Sequence, residues 1–103
     1  MKTETKPLPF DHLSGLSEKT ISIHHDKLYA GYVAKANEIR EKLSGLASSG
    51  GLENANQTYS ELRGLKDGET FAVNGVYLHE WYFDALGGDG KPSGKIVDDI
   101  VER

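Results

Sequence analysis

Apolar residues recur at steps of three, four or seven along residues 17–43: Ile21, Leu28, Tyr32, Ala36, Ile39 and Leu43. That spacing lays them on one stripe of an α-helix. Ser17 is a good N-cap and Glu18 puts a negative charge where the helix dipole favours it, so a helix is predicted over residues 17–43. Residues 44–51 are small and turn-forming, and the chain is expected to reverse there. A short helix is expected over residues 58–65, ended by Lys66, Asp67 and Gly68, where the glycine can take the left-handed conformation. A second long helix is expected over residues 71–86, stopping at Gly87 and Gly88. It carries two adjacent stripes, one of Ala72, Val76, His79, Phe83 and Leu86, the other of Phe71, Gly75, Leu78 and Tyr82. Together they predict a wide buried face with His79 inside it. Gly75 costs about 1 kcal/mol relative to Ala in mid-helix, so a close approach by another group is expected there.

The ends read differently. Lys2, Thr3 and Thr5 fit a frayed terminus, whereas Leu8, Pro9 and Phe10 read as an extended segment that lays apolar side chains on a core. Beyond the turn-rich residues 87–94, Ile96, Val97, Ile100 and Val101 form a helical apolar face. The fold class expected is all-α, an antiparallel helical hairpin of two long helices with a short connecting helix. Its boundaries are residues 1–88 for the hairpin and 89–103 for a crossover into the first helix of an absent domain, or for an oligomerisation segment.

Composition narrows the chemistry. A chain of 103 residues is one small domain or part of a larger one, with little apolar burial to spare. The net charge is -4 and no dense Lys/Arg run occurs, which argues against nucleic acid. With no cysteine, any metal must be held by nitrogen or oxygen. The first ten residues are too polar for a secretory signal or a membrane span, so no membrane association and a cytoplasmic location are expected.

No nucleophile elbow, phosphate loop, GxGxxG or HExxH motif is present. The informative residues are the histidines: His12 in a loop, His24 and His25 on the first helix, His79 on the second. A single helical histidine is more often a core or surface residue than a ligand, and His12 and His25 keep that reading. His24 and His79 lie on two helices expected to pair, which is how helical proteins aim ligands at one metal.

The segment from Ile23 through His24, His25, Asp26, Lys27, Leu28, Tyr29, Ala30, Gly31, Tyr32 and Val33, with Asn37 following, resembles the first-helix signature of iron/manganese superoxide dismutases. The entry at Leu8, Pro9 and Phe10, the start at Ser17 to Thr20, and the stretch from Asn74 to Tyr82 centred on His79 resemble that family too. So does the Gly/Pro-rich stretch from Leu86 to Gly94. The resemblance implies the family's N-terminal α-hairpin domain, with His24 and His79 as metal ligands and Tyr32 as the gateway tyrosine of the substrate funnel. It implies manganese or iron in a complete site and superoxide as substrate. Lys27 would help draw the anion to the funnel mouth.

Three departures bear on the site. Leu28 stands where the family commonly has a second histidine, Gly75 resembles manganese-type members, and Phe83 stands where a tryptophan is usual beside the metal. The resemblance further implies an Asp and a third His from a C-terminal domain, and neither motif occurs here. Two imidazoles alone cannot fill an iron or manganese site. Three readings follow: half of a superoxide dismutase completed by a C-terminal half or a second copy; a self-associating metal-binding hairpin without turnover, taking zinc, copper or nickel; or a purely structural hairpin.

Overall fold

The computed structural model describes residues 2–87 and 94–101. Among them every regular element is helical: α1 (Glu18–Ile23), a π-helical stretch (His24–Tyr29), α2 (Ala30–Ser48), a 3-10 turn (Gly51–Asn54), α3 (Glu61–Ala85) and α4 (Lys95–Val101). Helical backbone continues from α1 through the π-helical stretch into α2. It starts as expected, with Ser17 Oγ accepting the Thr20 amide at 3.0 Å and Glu18 in the first turn. It ends five residues later than expected, at Ser48, with the reversal made by Gly50 in the left-handed region (φ 78°). Gly45 and the serines are tolerated because a helix already nucleated extends at small cost per residue.

The expected break at residues 66–68 does not exist. α3 runs unbroken from Glu61, capped by Ser60 Oγ on the Arg63 amide at 3.2 Å, and absorbs both the short helix and the second helix. Gly68 is not among the left-handed glycines. Its role is steric: a Cβ there would stand 3.3 Å from Ile39 Cδ1, so the missing side chain lets α2 approach. α3 stops at Ala85, and Gly87 (φ 88°) turns the chain as a left-handed cap residue. The boundary expected at residue 88 lies outside the described residues.

Pairings across the hairpin run in opposite directions, with Tyr29 against Phe83, Tyr32 against Gly75 and Ile39 against Gly68, so α2 and α3 are antiparallel. The core has two clusters. Tyr29, Val33, Val76 and Phe83 pack together with Leu8, Tyr32 and Leu86; nearer the reversal, Ala36, Ile39 and Ala72 pack with Leu43, Leu65 and Val73.

Two expectations about burial are corrected. Leu28 is exposed and Tyr29, 1% exposed, takes its place in the core. The cause is the π-helical stretch: its i to i+5 bonding widens the turn, so the buried stripe returns from Ile21 after eight residues rather than seven. Of the two stripes, that of Ala72, Val76, His79, Phe83 and Leu86 packs inward, and of the other only Gly75 meets the partner helix. Phe71, Leu78 and Tyr82 of the other stripe are exposed, because one antiparallel partner covers only one face.

The N-terminal segment is tied down rather than frayed. Asn37 accepts the Thr3 amide at 2.7 Å and donates to the Thr3 carbonyl at 2.8 Å, while Arg40 donates to the Thr3 hydroxyl at 2.6 Å. Leu8 then reaches the first core cluster, as its apolar spacing predicts.

Candidate metal centre

His24 opens the π-helical stretch and His79 sits two turns from the end of α3. The hairpin brings the two rings together, with centres 4.9 Å apart and planes 88° to one another. Phe83, 3% exposed, packs against both, 5.2 Å from the His24 ring and 6.2 Å from the His79 ring. Tyr82 lies 5.2 Å from His24 on the open side.

The tautomer of His79 follows from its partner. Its Nδ1 is 2.7 Å from the Gly75 carbonyl, which only accepts, so Nδ1 carries a hydrogen and Nε2 is the nitrogen left to act as a ligand. Burial, and then the neighbouring His79, hold the His24 imidazole below its ordinary pKa, which keeps it neutral and its lone pair available at neutral pH. Imidazole nitrogen is a donor that divalent transition metals take, and the hairpin sets two such rings side by side. Among the described residues no group of three or more His, Cys, Asp or Glu side chains gathers to hold a metal.

Tyr32 stands about two helix turns beyond His24, its ring 5.2 Å from His79 and 5.9 Å from Phe71. Gly75 lies directly under the Tyr32 ring, the close approach expected of a mid-helix glycine. Lys27 is exposed on the rim of an apolar groove that Leu28, Gly31, Tyr32, Lys35 and Phe71 also line.

The other histidines are engaged elsewhere. His25 points away from the pair: Nε2 donates to the Lys6 carbonyl at 2.6 Å and Nδ1 lies 2.7 Å from Asp26. Burial lowers its pKa, but the bonds to Asp26 and Lys6 outweigh that and the net shift is upward. His12 is exposed beside Glu18.

The residue that sequence reading missed is Tyr29. Its ring packs against His79, His25 and Phe83, and its hydroxyl joins Glu80 of α3 to the Lys6 amide. Five residues past His24, it lies off the regular helical stripe and becomes part of the buried face only through the π-helical stretch.

The profile of the iron/manganese superoxide dismutases, alpha-hairpin domain, matches residues 5–87. A protein named iron superoxide dismutase from Aquifex aeolicus is 46% identical over 91% of this chain and 47% of its own length. Its counterpart in Cupriavidus metallidurans is 39% identical over all of this chain and 50% of its own length. A protein named manganese superoxide dismutase from Haloarcula marismortui is 30% identical over 96% of this chain and 48% of its own length. The chain spans about half the length of the curated relatives it matches.

Proposed function

Because this chain belongs to the iron/manganese superoxide dismutase family, through its alpha-hairpin domain, we propose that it supplies two imidazole ligands, His24 and His79, and a gateway phenol, Tyr32, to superoxide disproportionation. The observation that carries the proposal is the approach of the two rings across the hairpin, 4.9 Å between centres, with the Gly75 carbonyl engaging Nδ1 of His79 and leaving its Nε2 for an ion.

Each group of the chain has a stated part. His24 and His79 hold the metal through nitrogen, and the Gly75 carbonyl fixes the His79 ring through Nδ1–H. When bound, iron or manganese supplies the one-electron chemistry by which two superoxide ions and two protons become dioxygen and hydrogen peroxide. Tyr32, beside His79 at the edge of an open groove, is placed to hand a proton toward the reacting oxygen. Lys27 on the groove's rim contributes positive charge that raises the local concentration of an anion. Phe83 keeps water from the inner side of the imidazole pair.

Two nitrogen ligands need completion from elsewhere, and a C-terminal superoxide dismutase half bringing a carboxylate and a third imidazole is the completion proposed. The decisive measurement pairs this chain with such a half and follows manganese or iron content together with superoxide consumption. Metal uptake and turnover should depend on both parts and on His24 and His79; turnover untouched by His79→Ala would refute the assignment.

A second reading is favoured by the same count of two imidazoles per chain and by the exposed stripe of Phe71, Leu78 and Tyr82. Two copies that associate pool a nitrogen-only set, which suits zinc, copper or nickel rather than manganese. Such a module binds metal without dismutase turnover.

A further inference from the structure

Gly75 meets two members of the proposed site. Its carbonyl takes the His79 Nδ1–H at 2.7 Å. From the other side the Tyr32 ring occupies the space where a side chain would begin: a Cβ at Gly75 would stand 2.5 Å from Tyr32 Cδ1 and 2.7 Å from both Cε1 and Cγ. Carbon atoms sit comfortably about 3.5–4.0 Å apart, so the ring would have to retreat by roughly 1 Å. It has neighbours on its other sides, with Phe71 at 5.9 Å and His79 at 5.2 Å between ring centres.

The backbone does not ask for glycine here. Gly75 lies inside α3 and is not among the glycines of positive φ, so its conformation is open to any residue. In mid-helix alanine is the better helix former. What excludes a side chain is the Tyr32 ring: the three atoms nearest to that Cβ position all belong to it.

We propose that Gly75 is a positioning residue of the site: by lacking a Cβ it seats the Tyr32 phenol beside His79, and by its carbonyl it fixes the imidazole that the phenol faces. A larger residue keeps the carbonyl but displaces the phenol, so the two roles separate. The bearing on a metal rests on the reading of His79 as a ligand; the steric relationship does not.

The test is an unfolding cycle of Gly75→Ala, Tyr32→Ala and the double variant, with the whole chain. In the wild-type background Gly75→Ala should lower the denaturant midpoint; in the Tyr32→Ala background it should raise it, because the methyl then meets no ring and alanine's helix propensity prevails. A rise in both backgrounds, or an equal fall in both, would overturn the proposal. Should Gly75→Ala alone fail to fold, a folded double variant supports the proposal and an unfolded one overturns it.

A readout that general stability does not move is the ring-current shift that Tyr32 imposes on the His79 ring protons. Gly75→Ala should carry those resonances toward their positions in Tyr32→Ala, and unmoved resonances would count against the proposal. Zinc titration of the wild-type chain runs alongside. Absence of binding would count against the self-associating zinc module, and metal uptake beside a C-terminal half that is unchanged by His79→Ala would remove His79 as a ligand, while the cycle and the ring-proton shifts still decide the role of Gly75.

Discussion

The Tyr29 hydroxyl donates to Glu80 Oε2 at 2.7 Å across the hairpin and accepts the Lys6 amide at 3.0 Å. One buried phenol therefore joins the π-helical stretch, α3 and the N-terminal segment beside the imidazole pair. Tyr29→Phe should cost about 1.5–3 kcal/mol, the net worth of a hydrogen bond to a charged group, and should loosen Lys6. Chemical denaturation measures the first effect and amide exchange at Lys6 the second.

The same phenol sets a response to alkali. Burial raises its pKa above the ordinary 10.0, the Lys6 amide pulls it down, and the Glu80 and Asp84 charges push it up again, with a net rise. An acid with a raised folded pKa favours the neutral form, so its contribution is fully present below the unfolded value and is lost as pH rises through 10.0 toward the folded value. Unfolding midpoints should fall more steeply above that pH in the wild type than in Tyr29→Phe. Parallel pH profiles for the two proteins would contradict this.

Much of the hairpin was legible because helix signals are local. Ser17 caps where its side chain predicts, the stripe from Ala72 to Leu86 faces the core, and Gly75 lies under a neighbouring ring. The pair His24 and His79 was legible through the motif around each and the expectation of antiparallel packing. What escaped depended on the partner helix. Gly68 reads as a stop, yet it is where Ile39 comes close, and a helix keeps its course through a glycine when packing rewards it. The π-helical stretch exchanged Leu28 for Tyr29 in the core, and no regular period encodes a widened turn. Thr3 reads as frayed because its anchor, the Asn37 amide, lies 34 residues away.

That anchor gives a third expectation. Asn37 pairs with both backbone groups of Thr3, so Asn37→Ala leaves a donor and an acceptor to water and should cost about 1–2 kcal/mol. The change should appear first as rapid amide exchange at Thr3 and only later as a shift in the global midpoint. Unaltered protection at Thr3 would mean that Arg40 alone holds the segment.

Phe71, Leu78 and Tyr82 form an apolar stripe that the hairpin itself does not cover, with Leu28 exposed on the π-helical stretch as well. Such a surface favours association. At micromolar concentration the chain should scatter light as a dimer or larger species. Leu78→Lys, at a site 60% exposed, should shift it toward monomer while leaving monomer stability within about 0.5 kcal/mol. A monomeric wild-type chain would sink this expectation.

Metal choice separates the two functional readings most sharply, because it follows from donor chemistry. His24 and His79 present nitrogen only, and two associated copies would pool four neutral imidazoles with no carboxylate among them. Imidazole suits zinc, copper and nickel, and divalent affinity rises toward copper across the first-row metals, so the lone chain should take these in preference to iron or manganese. Its dismutase activity should be slight. Adding a C-terminal half with its carboxylate and imidazole should move the preference to manganese or iron and bring turnover. In either setting His79→Ala removes a ligand, an injury greater than the loss of an outer-shell partner, and should weaken binding by more than roughly 100-fold. Competition among zinc, nickel and manganese for the lone chain, read by calorimetry and elemental analysis, decides the matter: tight manganese uptake that survives His79→Ala would place the metal away from the imidazole pair.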